Sequence, residues 1–527
     1  MPAVPSDGEK GKLPMAEARA VFVGACTRTS ARITVVADAN VQVAHLAWSE
    51  RAQGGEQLLT LPLRDARPYR MVTFELSGLT PGATIRYAVD CQPLGLPSPM
   101  APALLSGAQR RYSFRLLPAD TGRPPRVVLL SCNAIEHSDE RNRFDMWRRL
   151  RKQIDAGRVD LLIHCGDQIY ADDIWSWHEK HDSSVTREEL VAEYRDEYVR
   201  LWGDNPDIRE VLASCPSVMM WDDHDIYDGY GSNDDDRLPS SQRYFQAAAQ
   251  AFREFQGVNN PPLDPAYLKH RDGTQVPADD SFFSCFRSNG LGIILLDGRS
   301  NRDYHRSSVL GANQHRVLDT VLDDWRKDES LRWVYVVVGV PVVHAEVSAA
   351  LALSDATGDA FGVRDDLRDN WVSPNNHEEC RLLLTRLFDF MVQRPGVEVT
   401  LLGGDAHVGA VARIWSAIHT LPNGSAPEFY QVTSSGIAHP APGGLKALVI
   451  RQGTKRVRHP LVNGEQIQGA LMPIPGNPGT RLLWQRNFAL LKLGPGDGTQ
   501  WDKDKKLRVE FHAEGKPDLL EMVLVNL

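Results

Sequence analysis

The sequence predicts an all-β sandwich followed by a layered α/β domain, and three observations carry that expectation. Residues 17 to 117 break into short segments of alternating polarity punctuated by turn residues. A proline-rich joint, LLPADTGRPPR at 116 to 126, then interrupts the pattern. Beyond it, short apolar β-rich runs alternate with helical stretches, the arrangement of an α/β layered fold. At 527 residues the chain exceeds one ordinary domain of about 100–200 residues. The expected divisions are a flexible tail over 1–16, a β-sandwich over 17–120 and an α/β domain over 121–527.

Taken in order, the tail MPAVPSDGEKGKLP is polar, rich in proline and without the apolar core of a secretory signal. ARITVVAD, HLAWSE, RMVTFEL and TIRYAVD read as sandwich strands. LTPGATIRYAVD (79–90) resembles the fibronectin type III pattern, in which a tyrosine, here Tyr87, packs at a corner after a Leu-x-Pro turn. After the joint, RVVLL (126–130) precedes a helix whose Phe144, Trp147, Leu150 and Ile154 share one face. DLLIHCGD, SVMMWDD, LGIILLDGR, WVYVVVGVP, VTLLGGDAH and FYQVTSSG follow as strands with their trailing loops. RNFALLKL, LRVEFHAEG and EMVLVNL read as strands that finish the same domain. The polar, Gly-rich stretch from Ala345 to Cys380 reads as a lid.

Composition narrows the function. Hydrophobic residues form 42 % and charged residues 24 %, with a mean hydropathy of −0.33, as in soluble globular proteins. A net charge of −9 and a pI near 6.0 argue against broad nucleic-acid binding, which needs a basic field. The seven cysteines are odd in number and form no CxxC, so they read as buried thiols and a reducing, cytoplasmic setting is expected. The longest apolar stretch, WVYVVVGVPVV, falls short of the ~20 residues of a membrane span. No pattern sets an oligomeric state.

The chemistry collects after the strands: Cys132 after RVVLL, Asp167 after LLIHC, Asp223 after SVMMW, Asp297 after IILL and Asp405 after TLLGG. Ligands of layered α/β folds bind outside the carboxyl ends of the strands, so these side chains should converge. One such aspartate commonly caps the next helix; four aspartates and a cysteine at five strand ends call for a shared cause. WDDHDIYDGYG (221–231) sets Asp222, Asp223 and Asp225 around His224, a density of charge that a cation would hold together. A mixture of Asp, His and Cys is a ligand set for transition metals. GDQIY adds Tyr170, and in GGDAHVG the two-residue spacing points Asp405 and His407 to one side. Arg299 and Arg302 in LLDGRSNRDY follow a strand end, where a guanidinium forks onto a substrate phosphate. His344 and His439 read as hydrogen-bonded core or rim histidines, NDDDR (233–237) as a solvated loop, and Trp175 and Trp177 as walls of the cleft.

LLSC (129–132), GDQIYAD (166–172), WDDHD (221–225) and GDAHVG (404–409), in this order, resemble the calcineurin-like metallophosphoesterase superfamily, and within it the alkaline phosphatase D (PhoD-like) branch, over about residues 120–527. The resemblance implies a four-layer α/β/β/α sandwich behind an N-terminal β-sandwich. It also implies a binuclear phosphoesterase, acting on small phosphodiesters and on phosphomonoesters, in which a metal-bound hydroxide attacks phosphorus in line with the leaving group. Cys132, Asp167, Tyr170 and His407 match positions that hold one ion, Fe(III) where the tyrosine ligand is present, and Asp167 would bridge. Asp223 stands where the superfamily usually has asparagine and Asp405 where many members have histidine; both would hold the second ion. These departures enrich that site in oxygen, favouring Ca(II), Mn(II) or Mg(II), so Fe(III) with Ca(II) leads and Zn(II) stays within the set. His224 matches the histidine that protonates the leaving oxygen. Phospholipase D-type headgroup cleavage is the alternative within this class, and a non-catalytic, metal-stabilised binding protein the alternative outside it.

Overall fold

A computed structural model of the chain describes residues 17–50, 55–93, 110–117, 123–136, 144–181, 184–269, 281–344, 354, 364–444, 447, 450–451, 454, 459–461, 466–477, 480–494, 501, 506–516 and 519–525. The expected tail over 1–16 and residues 345–363 of the expected lid, apart from 354, lie outside the described residues.

The N-terminal strands are β1 (Ala20–Val23), β2 (Ser30–Asp38), β3 (Val41–Ser49), β4 (Gln57–Pro62), β5 (Arg64–Ala66), β6 (Tyr69–Ser77), β7 (Thr84–Pro93) and β8 (Tyr112–Arg115). They pair as two four-stranded sheets, β1-β2-β6-β5 and β4-β3-β7-β8. Ile33, Val35 and Phe74 of one sheet and Leu46, Ile85 and Phe114 of the other share one core, as a period of two requires when each sheet has a single buried face. Tyr87 does more than turn a corner. Its ring packs on Tyr112 and Phe114 at 5.5 and 5.8 Å, and its hydroxyl donates to the carbonyl of Ala213 at 2.7 Å, across to the α/β part.

The remaining strands are β9 (Val127–Leu130), β10 (Leu161–Cys165), β11 (Ser217–Met220), β12 (Ser284–Ser288), β13 (Leu291–Leu295), β14 (Trp333–Val337), β15 (Glu398–Gly403), β16 (Gly409–Ser416), β17 (Glu428–Ser434), β18 (His459–Pro460), β19 (Ile467–Leu471), β20 (Leu482–Leu483), β21 (Asn487–Leu493), β22 (Lys506–Ala513) and β23 (Leu520–Val525). The helices that matter here are α1 (Asp145–Asp155), α2 (Asp172–His181), α3 (Arg187–Tyr198), α4 (Pro206–Leu212), α5 (Pro239–Phe255), α6 (Gly311–Trp325), α7 (Arg364–Asp369) and α8 (His377–Gln393). One sheet runs β11-β10-β9-β21-β22-β23, with β9, β10 and β11 parallel and the last three strands antiparallel, so the C-terminal segments share the sheet of β9. The other runs β12-β13-β14-β15-β17-β16-β19-β18, with β13, β14, β15 and β17 parallel.

Alternation along β13 and β14 assigns the layers. Ile293, Leu295, Tyr335 and Val337 pack toward the first sheet, whereas Ile294, Val334 and Val336 pack with Leu318 and Val321 of α6 and Leu384 and Phe388 of α8. Trp147 and Leu150 of α1, Tyr194 and Tyr198 of α3 and Phe252 of α5 join the core of the first sheet. The order is α/β/β/α. All seven cysteines are buried free thiols. Among the described residues no helix is long and apolar enough to cross a membrane.

Asp160 secures the entry into this domain. Its buried carboxylate accepts from Arg123 at 2.7 Å and from Arg126 at 3.0 Å. Burial alone would raise its pKa, but the two guanidiniums outweigh it and hold the carboxyl at about 2, against 3.8 ordinarily. A depressed carboxylate contributes stability above its unfolded pKa and loses it as pH falls through the folded value, here between about pH 4 and 2. The stability difference between wild type and Asp160→Asn, read by chemical denaturation, is therefore expected to shrink by about 2 kcal/mol from pH 7 to pH 2. A difference constant with pH would contradict this pairing.

Candidate metal centre

The carboxyl ends of β9, β10 and β11 in one sheet meet those of β15 and β17 in the other. Close approach of backbone makes this joint: a Cβ on Gly404 would lie 2.2 Å from the carbonyl oxygen of Cys165 and 2.6 Å from Ser131 Oγ. The loops after β9 and β10 are tied by Asn133 N–H donating to the Asp167 carbonyl at 2.8 Å.

Backbone strain concentrates here. Cys132, Asp167, Asp405 and His407 adopt φ values of 57°, 55°, 54° and 53°. Among the described non-glycine residues only Asn289 and Ser307 share this left-handed region. Such a conformation costs on the order of 1–3 kcal/mol per residue and is retained where surroundings over-determine it. Four of the sequence-selected ligands therefore have their side chains turned by the same unfavourable backbone.

Their donor atoms gather. Those of Cys132, Asp167 and His407 lie within 4.8 Å of one another, as do those of Asp167, Asp223 and Asp405. Asp167 belongs to both groups, the arrangement of a bridging ligand. Tyr170 Oη lies 3.4 Å from His407 Nε2 and joins the first group. Without a cation these anions oppose one another: burial and then the neighbouring Cys132 push the Asp167 carboxyl well above the usual range, and burial with Asp222 and Asp223 does the same to Asp405. Burial likewise pushes the Cys132 thiol up to about 12. Asp167 Oδ1 is buried with no hydrogen-bond donor. A buried carboxylate oxygen without a donor, among a thiol, an imidazole, a phenol and two further carboxyls, fits a pair of cations.

The aspartate-rich string around His224 divides its labour, which corrects the expectation that metal holds the whole of it. Only Asp223 points into the shared groups. Asp225 accepts the backbone N–H groups of Asp167, Gln168 and Asp222 at 2.9, 3.2 and 2.9 Å and so shapes the loop after β10. Asp222 is ion-paired with Arg299. Asp297, expected to converge with the others, instead accepts from the Trp221 indole at 2.9 Å and from the N–H groups of Phe282, Arg299 and Ser300 at 2.7, 3.0 and 3.0 Å. It caps its own loop.

Arg299 and Arg302 also depart from expectation: both are buried rather than presented to a substrate. Arg299 bonds Asp223 at 3.1 Å and Asp369 at 2.7 Å besides Asp222, and Arg302 bonds Asp369 at 3.0 Å. A strand-end arginine was legible, but the three buried carboxylates that claim it come from distant loops. Burial would raise the Asp223 pKa, yet Arg299 and then His224 bring it to about 2. Arg299→Met is expected to destabilise the protein by about 3–5 kcal/mol, because it leaves buried carboxylates without their counterion. Denaturation midpoints read this; a change within about 0.5 kcal/mol would contradict it.

His224 stands at the mouth, 15 % exposed. Its Nδ1 lies 2.9 Å from Asp172 Oδ2, so Nδ1–H donates there and Nε2 is turned toward Asp228 at 3.8 Å. Its own burial would lower its pKa, but Asp172 and Asp223 raise it well above the ordinary value. Its ring stacks on Tyr170 at 4.2 Å. His439, expected in a core or rim role, stacks on His407 at 3.6 Å. Sequence reading passed over Asp172, although it lies within GDQIYAD, and Ser435, whose string TSSG gives no chemical signal beyond a strand end. Trp175 stacks on Tyr227 at 5.0 Å, and Trp177 is half exposed. The 233–237 loop is less solvated than expected, since buried Asp236 accepts from Tyr227 Oη at 2.7 Å.

The family model described as PhoD-like phosphatase matches residues 127–459. The uncharacterized protein YGR266W of Saccharomyces cerevisiae is 23 % identical over 362 residues, covering 56 % of this chain and 51 % of that protein, so the chain spans about half the length of this curated relative. The structure of PhoD superposes with a TM-score of 0.60 at 12 % identity, over 99 % of this chain and 90 % of that one, which shows a shared fold. A dimetal phosphatase from Danio rerio, 12 % identical, covers 77 % of this chain and 100 % of its own at a TM-score of 0.36.

Proposed function

The chain belongs to the PhoD-like phosphatase family, and from that premise we propose that it hydrolyses small phosphate esters, diesters first, at a two-ion centre. The observation that carries the reading is the sharing of Asp167 between two groups of donors, of which Cys132, Asp167, Asp405 and His407 have the same left-handed backbone. Cys132, Asp167, Tyr170 and His407 would hold one ion; thiolate, phenolate and imidazole suit Fe(III). Asp167, Asp223 and Asp405 would hold the other through oxygen alone, which suits Ca(II) before Mn(II), Mg(II) or Zn(II). When bound, the ions supply positive charge against the phosphoryl oxygens and lower the pKa of a water.

The protein's own groups do the rest. Asp172 holds Nδ1 of His224, which leaves Nε2, on the side of Asp228, as the atom whose proton can pass to the departing ester oxygen. Arg299 keeps Asp223 ionised and in place from behind. The walls of the two sheets keep solvent from Cys132 and Asp167, both fully buried.

The test pairs metal analysis with hydrolysis of bis-p-nitrophenyl phosphate and p-nitrophenyl phosphate by the purified protein. Two ions per chain, turnover of the diester, loss on chelation and recovery on adding metal back are expected. Metal-replete protein inert on both esters would overturn the reading and favour a non-catalytic binding role.

A further inference from the structure

The loop after β17, Ser435 to His439, carries no candidate ligand, yet it is hydrogen-bonded to the ligand-bearing loops. Ile437 N–H donates to the Ser131 carbonyl at 3.0 Å, and His439 N–H to the Cys132 carbonyl at 3.1 Å. From behind, Asn487 N–H donates to the Gly436 carbonyl at 3.1 Å and Asn487 Nδ2 to the Ser435 carbonyl at 2.9 Å. The loop, which leaves β17 of the second sheet, is thereby fixed to the first, and Ser435 sits fully buried between two candidate ligands.

Its hydroxyl has its direction set by its neighbours. His407 N–H donates to Ser435 Oγ at 2.8 Å, which occupies the oxygen as an acceptor. Cys132 Sγ lies 3.0 Å from the same oxygen, and because the thiol's own proton is directed to Asp167 Oδ2 at 3.2 Å, the sulfur is left to accept the Ser435 hydroxyl proton. Ser131 Oγ, 3.3 Å from the sulfur, is placed differently, because it also donates to the Ser434 carbonyl at 3.3 Å. We propose that Ser435 is a positioning residue of the first-ion site, its one hydroxyl donating to the Cys132 sulfur while accepting the backbone of His407, so that both ligands are set together. The proposal rests on the two-ion reading above and assigns its outer support. Partners that orient a ligand typically change metal affinity by ~10–100-fold when removed, and hydrogen bonds to a ligating sulfur change its electron donation.

Co(II) titrated into metal-stripped full-length protein tests this through the near-ultraviolet sulfur-to-cobalt charge-transfer band, with affinity read by chelator competition. Ser435→Ala is expected to bind Co(II) at the sulfur-bearing site ~10–100-fold more weakly and to shift the band, while the oxygen-only site is unchanged. Ser435→Thr, which keeps the donor, should restore both, and Ser131→Ala should leave both as in wild type. If Ser435→Ala is not recovered folded, Ser435→Gly removes the same hydroxyl and is expected to behave alike. A folded variant without the hydroxyl whose band and affinity match wild type would overturn the role of Ser435, as would equal weakening of both sites. A wild-type protein with no sulfur-to-cobalt band would instead sink the two-ion reading itself, so the two failures are distinguishable.

Discussion

Asp167→Ala is expected to abolish phosphoester hydrolysis and to strip both ions, the largest effect of any single substitution in this chain. Asp167 is the one side chain common to the two donor groups, and its replacement leaves Cys132 with His407 on one side and Asp223 with Asp405 on the other. The loss should exceed the ~10–100-fold typical of removing a partner outside the ligand set. Asp405→Ala belongs to one group only and should cost one ion. A second readout separates this from simple unfolding. In metal-free protein the Asp167 carboxyl is buried and one of its oxygens lacks a donor, so Asp167→Ala without metal should be at least as stable as wild type without metal. Elemental analysis of Asp167→Ala showing two retained ions would contradict the bridge.

The second large effect is expected at His224. His224 forms a third group of donor atoms with Asp223 and Asp228 at the mouth, but lies outside both groups that share Asp167, and Asp172 holds its Nδ1. His224→Ala should therefore keep both ions and lose about 10²–10⁴-fold in rate on alkyl esters, whose leaving oxygen needs a proton. Aryl esters leave without that help and should lose much less. Comparing kcat/KM for a methyl and a p-nitrophenyl ester of the same phosphate reads the difference directly; equal loss on both would contradict proton donation.

How far the sequence was legible differs from residue to residue, for physical reasons. The convergence of Cys132, Asp167, Asp223, Asp405 and His407 was legible because strand ends are local features, and a parallel sheet brings its carboxyl ends to one edge wherever the strands lie in the chain. The same signal misassigned Asp297, since a strand-end aspartate that caps its own loop looks identical until the neighbouring loops are known. Arg299 was seen and given the wrong partner: its charge is neutralised by Asp222, Asp223 and Asp369, two of them from the very string that suggested a metal. Tyr87 was legible as a sandwich tyrosine, but its bond to Ala213 depends on how two distant parts of the chain pack. Ser435 and the stacking of His439 on His407 were invisible for a related reason: the first reaches Cys132 at the end of the other sheet, and the second joins the loops after the neighbouring strands β15 and β17, which are far apart in the chain. The left-handed backbone at four ligands could not be read from residue types, which disfavour it at Cys132 in particular.

The most direct measurement is an anomalous-diffraction map of crystals of the metal-loaded protein. Two peaks are predicted, one among Cys132, Asp167, Tyr170 and His407 and one among Asp167, Asp223 and Asp405, with the Asp167 carboxylate between them. A single peak, or peaks that do not share Asp167, would contradict the account.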